Sequence, residues 1–571
     1  MKILINKIYI VLILIFALFM QSESFGRDNS VQYTRKNISN YFLGVIYASK
    51  GNNNKAFKHL KKVQSIKGVH SNFNLEFIRT LVLLEKFEEA ITFSRDIWIE
   101  NEFFFEADLL LGLDSFLNKD YKSAEKYFER LNAISRYNIF FDDFIGNVLI
   151  AWSKASQNKK EDSFLFLEKI PSRYQHLTKL QNIFLNCHFN STKTKKLFED
   201  LIKNENYNFS RYNFFLANYL ISNNKVSDAR EIIKNARNEY SSNLLIKQAE
   251  IFLDQEKEKI INYYDCKNPR DSMAEFFYVI ANLYSSEQEY QLSNFYLKIS
   301  FLLNDKFLTN KALLAENFFY QKKNKQSKNI YSSLKSVGAA YSWHASQNIA
   351  EILLETKGKQ YAIDSFRKEF DLLEEPNFEH YYDLANFYKQ NEYYKESIKY
   401  YSLILKKIKR DHFLFPKVLD RRGTSYERLG DWDNAEKDLL QTLEILPDQP
   451  HVLNYLAYSW IDRGINLDRG LEMLKKAAQL RENDGYIIDS LGWAYYAKKN
   501  YVQAEFFLQK AVELLPLDPV INDHYADALW MLNKNIQARH FWKYVLKLDE
   551  TEQDLKDSVN KKLIFGINKQ L

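Results

Sequence analysis

Residues 488–516 read IDSLGWAYYAKKNYVQAEFFLQKAVELLP, and this stretch decides the fold. Two small residues, Gly492 and Ala504, stand twelve positions apart, and large apolar residues lie one helical turn from each. Two antiparallel helices pack closely only where one side chain is small, and large neighbours then fill the flanking grooves. Pro516 ends the pattern, because proline cannot continue a helix. The stretch therefore predicts a helical hairpin.

The same pattern recurs along the chain. The small position of the first helix advances from Gly44 to Ala526 with an average step of about 34 residues, a period typical of helical repeat arrays. The pattern is strongest from Gly423 onward. The units at Leu185 and Ala249 are weak, and they are assigned mainly because the repeat spacing continues through them. The positions are Gly44, Ile78, Gly112, Ala151, Leu185, Ala217, Ala249, Ala281, Ala315, Ala350, Ala385, Gly423, Ala457, Gly492 and Ala526.

This pattern resembles the tetratricopeptide repeat, which has a small residue in helix A, another in helix B and a closing proline. The resemblance covers about residues 37–550. It implies an all-α, right-handed superhelical solenoid of about 15 helix hairpins. Residues 488–496 look more particularly like exported tetratricopeptide proteins of Gram-negative bacteria. Leu555, Val559, Leu563 and Ile564 follow at helical spacing and predict a capping helix, which a solenoid needs at its end.

The sequence divides into five predicted segments. Residues 1–24 form a signal peptide, 25–36 a linker, 37–405 a degenerate repeat array, 416–550 a regular array, and 551–571 a capping helix and tail. The hinge between the arrays is expected at 406–416, where the repeat step stretches to 38 residues.

The amino terminus has the features of a secretory signal. Lys2 and Lys7 precede an apolar run over 8–20, and Ser22 and Ser24 would be the small residues before a cleavage site. The run is shorter than the roughly 20 residues that span a bilayer, although an uncleaved anchor is the alternative. We expect export to the periplasm or to the outer membrane of a Gram-negative bacterium. Peripheral association of the protein with a membrane is compatible with this expectation.

Composition and motifs point away from several functions. The net charge is only +6 and the charges are interspersed, which gives no nucleic-acid footprint. Phosphate loops, His-Glu-x-x-His helices, Cys-x-x-Cys pairs and Gly-x-Ser-x-Gly elbows are missing from the sequence, so no catalytic residue, metal ligand or cofactor is expected. An enzyme hidden in 170–265 remains the less favoured alternative.

The two cysteines, Cys187 and Cys266, are expected to be free thiols. They are assigned to different repeats, and helices stacked in sequence order at about 8–10 Å spacing would hold them too far apart to bridge. A disulfide between them would contradict this expectation and would bring the repeat phase there into question.

The family resemblance also implies a binding groove, because positions 2, 5, 9, 12 and 13 of each tetratricopeptide unit face the concave surface. We carried these positions onto the four regular units. Asp420, Asn454, Asp489 and Asp523 then form a column of acceptors, with aromatic residues beside it. The candidate peptide-groove residues are Asp420, Arg428, Asn454, Tyr458, Asp489, Trp493, Tyr496, Asp523, Asp527 and Trp530.

A concave row of aromatic and polar side chains suits peptide binding. The acceptor column would match the backbone amides or basic side chains of an extended ligand. The Lys and Asn residues of the family's carboxylate clamp are missing from these positions, which argues against an acidic chaperone tail. As alternatives, the Asp column stabilises helix dipoles, and the Trp side chains pack between repeats.

These features predict an exported scaffold or adaptor that binds proteins or peptides of the cell envelope. The identity of the partner and the oligomeric state are left open. Because aromatic side chains also stack on sugars, a glycan- or peptidoglycan-binding protein is the alternative.

Overall fold

The computed structural model describes residues 34–67, 70–99, 102–134, 143–203, 209–239, 242–254 and 263–567. The predicted signal peptide (1–24) and most of the predicted linker (25–36) lie outside these ranges. The described residues form thirty α-helices and three short 3-10 helices, with no strand among them. The sequence-based prediction of an all-α array of helical hairpins is confirmed.

The helices belong to two compact units, which meet in sequence at Ile352 and Leu353. The helices of the first unit are α1 (Arg35–Ser49), α2 (Asn53–Leu60), α3 (Ser71–Leu83), α4 (Phe87–Ile97), α5 (Phe105–Leu117), α6 (Tyr121–Ile134), α7 (Ile145–Ser156), α8 (Lys160–Glu168), α9 (Gln175–His188), α10 (Thr194–Ile202), α11 (Tyr212–Ser222), α12 (Val226–Glu239), α13 (Leu244–Asp254), α14 (Pro269–Ser286), α15 (Tyr290–Leu303), α16 (Lys311–Tyr320) and α17 (Asn324–Leu334).

Helix α18 (Ala339–Lys357) runs across the boundary between the units. The second unit continues with α19 (Lys359–Asp371), α20 (Phe378–Gln390), α21 (Tyr394–Lys407), α22 (Phe415–Arg428), α23 (Trp432–Ile445), α24 (Pro450–Asp462), α25 (Leu467–Leu480), α26 (Gly485–Ala497), α27 (Tyr501–Leu514), α28 (Pro519–Met531), α29 (Asn535–Val545) and α30 (Gln553–Phe565). The unit boundary precedes the hinge expected at 406–416, which in the structure includes the loop between α21 and α22.

Each predicted small position lies in an A helix, and local signals separate the helices. Helix A commonly ends at a left-handed residue, such as Asn224 (φ 60°), Gly430 (φ 80°) or Asn533 (φ 64°), a conformation in which Gly and Asn are favoured. Asp484 and Asp518 accept hydrogen bonds from the first backbone amides of α26 and α28. These caps satisfy amides that have no partner within a helix.

The close approach of helices A and B is visible at the glycines of the repeat. A Cβ on Gly492 would lie 2.6 Å from Leu508 Cγ, and one on Gly112 would lie 2.4 Å from Phe128 Cε1. The second small position is equally enclosed, since Ala504 is fully buried. The small residue of one helix therefore receives the large residue of the other, as the spacing predicted.

Gly492→Leu tests this interlock. The added side chain would enter the space held by Leu508, and overpacking of this kind costs about 1–3 kcal/mol or more. We expect the free energy of unfolding of the second unit to fall by that amount in chemical denaturation. Gln503→Leu, an apolar substitution at an exposed position of the neighbouring helix, should change it little. Equal stability of the two variants would contradict the interlock.

In the first unit, helices distant in sequence pack against one another. Helix α15 contacts α3, and α14 contacts both α7 and α9. Lys298 Nζ lies 2.5 Å from Glu85 Oε1, and the Gln291 side-chain amide donates to the Ser49 carbonyl at 2.5 Å. The array of the first unit thus returns to its own early hairpins instead of contacting only sequence neighbours.

A buried ion pair strengthens this return. The Arg211 guanidinium makes two hydrogen bonds to the Glu275 carboxylate, at 2.8 and 2.9 Å, and a third to Asn310 Oδ1 at 2.8 Å. The Glu275 side chain is only 1% exposed. Removing one partner of such a pair leaves an uncompensated buried charge, so these residues hold α14 in position.

The two cysteines are joined, which overturns the expectation of free thiols. Cys187 in α9 and Cys266, just before α14, form a disulfide with their Cα atoms 5.9 Å apart. The error lay in the assumption that helices stack only in sequence order. The repeat phase itself survives, because Leu185 in α9 and Ala249 in α13 are both buried at the predicted small position.

Loss of this bridge should loosen the return of the array. Cys266→Ser is expected to lower the free energy of opening of α9 and α14 by about 2–5 kcal/mol, in the range found for removal of native disulfides. Amide hydrogen exchange resolved by segment measures this, and the same loosening should follow when the wild type is reduced. Alkylation of both cysteines in denatured, unreduced protein would show that no bridge exists.

The predicted capping helix is present as α30. Val559 is fully buried, and Leu555 and Leu563 pack partly buried against the last hairpin. Ile564, expected on the same apolar face, is instead 70% exposed. Among the described residues, no helix combines the length and apolarity needed to cross a bilayer.

Candidate functional site

A large concavity of the second unit lies on the faces of three A helices. It has a volume of about 1020 Å³ and is open to solvent. We call it the α20–α24 groove, because α20, α22 and α24 supply most of its wall. The lining residues are Tyr382, Lys389, Gln390, Glu392, Tyr394, Lys417, Asp420, Arg421, Thr424, Arg428, Gln449, His451, Val452 and Tyr455.

The repeat positions explain why these side chains converge. In α22, Lys417, Asp420, Thr424 and Arg428 occupy four of the five positions expected to face the groove. The apolar residues between them face the opposite way, and Val418 and Leu419 are buried between helices. Because an α-helix repeats every 3.6 residues, the polar and apolar faces remain separate along its length.

The groove is predominantly cationic. Lys389, Lys417, Arg421 and Arg428 line it, against the carboxylates of Asp420 and Glu392. Glu392 is already paired, since its carboxylate lies 2.6 Å from the Lys359 ammonium. Asp420 lies 4.0 Å from the Arg421 guanidinium.

Burial is the main cause of the pKa shifts in the groove, and the neighbouring charges modify them. Burial lowers the pKa of the Lys389 ammonium, and the guanidinium groups of Arg421 and Arg428 lower it further, with Asp420 opposing them. Burial raises the pKa of the Asp420 carboxyl, against the effect of Arg421, Lys389 and His451. An anion entering the groove would stabilise the charged form of Lys389.

Beyond this groove, the acceptor column continues on α24. Asn454 Oδ1 is buried and accepts no hydrogen bond within the described part of the chain. Tyr458 lies one helical turn further, and burial, together with the carboxylates of Asp489 and Asp462, raises its pKa to about 12. A buried acceptor without a partner is costly, and Asn454 itself is not among the residues that line the α20–α24 groove.

On α26 the corresponding acceptor is already occupied. Asp489 lies 3.1 Å from Nδ1 of His524 on α28. Burial disfavours the charged imidazole, but the carboxylates of Asp489, Asp523 and Asp527 outweigh it and raise the pKa of His524.

The aromatic residues beside this pair stack on one another. The Trp493 ring lies 4.0 Å from the His524 ring and 4.6 Å from the Tyr496 ring, nearly parallel to both. The Trp493 ring is therefore already stacked on side chains of α26 and α28.

On α28 the expected groove residues hold the capping helix. Lys562 of α30 donates to Asp523 Oδ2 at 2.7 Å and to both carboxylate oxygens of Asp527 at 2.9 and 2.7 Å. Trp530 Nε1 donates to the Ile567 carbonyl at 3.1 Å. The carboxyl-terminal segment thus occupies the place that a ligand would take on this helix.

Comparison with known proteins agrees with the repeat architecture. A tetratricopeptide repeat model matches residues 39–70. The TPR repeat-containing protein PA4667 of Pseudomonas aeruginosa is 32% identical over 99 residues, which is 17% of this chain and 17% of that relative. Residues 39–70 are thus similar to one tetratricopeptide repeat, and the described helices form hairpins of the corresponding kind.

Solved structures also match parts of the chain. A tetratricopeptide repeat protein of Parabacteroides merdae matches with 17% identity over 39% of this chain and 88% of its own, at a TM-score of 0.33. MamA of Desulfovibrio magneticus RS-1 matches with 18% identity over 31% of this chain and 97% of its own, at a TM-score of 0.28.

The tetratricopeptide positions locate the ten candidate residues on four A helices but do not make them one site. Asp420 and Arg428 line the α20–α24 groove, and Asn454 adds an acceptor without a partner. Asp489, Asp523, Asp527 and Trp530 are engaged by other parts of the same chain. The described residues contain no group of His, Cys, Asp and Glu able to hold a metal ion.

Sequence reasoning missed two central groove residues, Lys389 and Arg421. Lys389 stands at position 12 of the unit at Ala385, where Tyr382 and Gln390 occupy positions 5 and 13. Applying the positional rule one unit earlier would have found all three. Arg421 lies at position 6, outside the rule, and only the structure places it in the groove.

Lys562→Met should release α30 in a pH-dependent way. Loss of one partner from a buried ionic cluster costs about 3–5 kcal/mol, and hydrogen exchange of the α30 amides at pH 8 measures it. Burial and Asp523 raise the pKa of Asp527 to about 6 even with Lys562 present. Folding therefore favours the protonated form of the Asp527 carboxyl. The bound proton stabilises the folded state at low pH, and this contribution is lost as pH rises through about 6.

The cost of Lys562→Met should accordingly be smaller at pH 5 than at pH 8. Lys561→Met removes the same charge from the neighbouring exposed position and serves as the control. Equal exchange in the two variants at pH 8 would mean that Lys562 does not anchor the helix.

Proposed function

We propose that the chain is an exported scaffold that binds an extended segment of a cell-envelope protein in the α20–α24 groove. The observation that carries this proposal is the groove itself, whose wall is built from the concave positions of neighbouring tetratricopeptide units. Its volume suits several residues of a peptide, and the aromatic rings of Tyr382, Tyr394 and Tyr455 provide contact area beside polar groups. Such a combination is typical of recognition surfaces.

Export is supported by two independent features. The amino-terminal sequence has the basic, apolar and small-residue parts of a signal peptide. A disulfide such as that between Cys187 and Cys266 is typical of an oxidising compartment, since cytosolic proteins rarely keep such bridges. Both features favour the periplasm or the outer membrane as the place of action.

The glycan alternative has less support. Sugar binding uses free aromatic faces, and Trp493 already stacks on His524 and Tyr496. Trp530 donates its indole hydrogen to the carboxyl-terminal segment. A sugar would have to displace these contacts, whereas a peptide in the α20–α24 groove displaces none of them.

Site-specific photocrosslinking in living cells tests the proposal. A photoreactive amino acid at Thr424, which lines the groove, should give protease-sensitive adducts with a polypeptide. The same amino acid at Lys437, exposed on the neighbouring B helix, should not give those adducts. Identical adducts from both positions, or adducts removed by glycosidases alone, would contradict peptide binding in the groove.

A further inference from the structure

The α20–α24 groove holds positive charge that its own chain does not balance. Among the described residues, neither Lys389 nor Lys417 forms an ion pair with a carboxylate. Arg421 and Arg428 approach acidic neighbours only at 4.0 and 3.9 Å, the limit of an ion pair. Both of these carboxylates belong to the adjacent residue in the same helix, so none is contributed from across the groove.

The acceptors predicted to attract a basic ligand are largely neutralised elsewhere. Asp489 pairs with His524, and Asp523 pairs with Lys562, both within the chain. Asn454 carries no charge, so Asp420 is the one carboxylate of this column left facing the cationic wall. The column therefore contributes one negative charge against four positive ones.

We infer that the groove selects an extended, acidic segment of its protein partner, with side-chain carboxylates bound by Lys389, Lys417, Arg421 and Arg428. This inference rests on the proposed function and names the chemistry of its ligand. It reverses the preference for basic side chains that the acceptor column alone indicates.

The geometry suits a short stretch of extended chain. Helices α20, α22 and α24 are successive A helices, and packed helices lie about 8–10 Å apart. The groove therefore extends over roughly 20 Å, which an extended chain covers with about six residues at 3.3 Å each. Lys389 projects from α20, and the other three cations project from α22, so carboxylates at two points along the segment can be bound at once.

The chemistry of the four cations suits side-chain carboxylates. Charge-assisted bonds from Arg and Lys to carboxylates are shorter and stronger than neutral ones. The four cations then give selectivity for acidic side chains.

Fluorescence polarisation with the full-length protein tests this inference. The probe is a fluorescein-labelled decapeptide of alternating Glu and Ser, compared with peptides in which Gln or Lys replaces every Glu. We expect the Glu peptide to bind at least about tenfold more tightly than the Gln peptide, since each charge-assisted bond lost corresponds to about that factor or more. Higher salt should weaken its binding.

Matched variants assign the effect to the groove. Lys389→Gln combined with Arg421→Gln should weaken Glu-peptide binding by about tenfold or more and leave Gln-peptide binding unchanged. Lys437→Gln combined with Lys543→Gln, which removes the same charge from exposed B-helix positions, should leave both unchanged. If both double variants weakened Glu-peptide binding equally, the effect would come from the net charge of the protein and not from the groove, and the inference would be overturned.

The outcome separates the inference from the proposed function. If Thr424 still crosslinks to a polypeptide but the Gln or Lys peptide binds as well as the Glu peptide, the groove binds peptides and the acidic selectivity is wrong. Competition by inorganic phosphate at concentrations where glutamate has no effect would also overturn it, because the groove would then be a phosphate site.

Discussion

The fold depends on the close approach of two helices at a position where one side chain is small. Gly492 against Leu508 and Gly112 against Phe128 show the constraint most clearly, because even a methyl group would collide there. Ala385, Ala457 and Ala526 are fully buried at the same position of their A helices, and the concave positions keep a constant relation to it. The interlock thus sets the orientation of each A helix, and through it which side chains reach the groove.

Local sequence could predict the hairpins because every signal in them is local. The small residues, the left-handed turns and the helix caps all lie within one repeat. The repeat spacing also placed Leu185 and Ile78 correctly in A helices, although both are large residues at the small position. The return of the first unit onto itself could not be predicted in this way. It depends on pairs such as Arg211 with Glu275 and on the disulfide from Cys187, whose partners lie 64 and 79 residues away in sequence.

The candidate site was predictable in position and not in electrostatics. Asp420 and Arg428, predicted from the repeat positions, lie on the wall of the α20–α24 groove, and the same rule extended to α20 would have added Lys389. The repeat positions do not specify which of these side chains already form ion pairs or hydrogen bonds within the chain. Lys562 reaches Asp523 and Asp527 from the far end of α30, and no repeat-based rule relates that residue to α28.

One helix position therefore has four different environments along the second unit. Asp420 faces cations, Asn454 is uncharged, Asp489 is paired with His524, and Asp523 is paired with Lys562. A charge contributes to selectivity only while it is unpaired and partly desolvated, because a paired charge offers a ligand little additional energy. The character of the groove is accordingly set by its unpaired members, which are cations on α20 and α22. The paired members on α26 and α28 stabilise the end of the array, whereas the same repeated position on α22 faces the proposed binding groove.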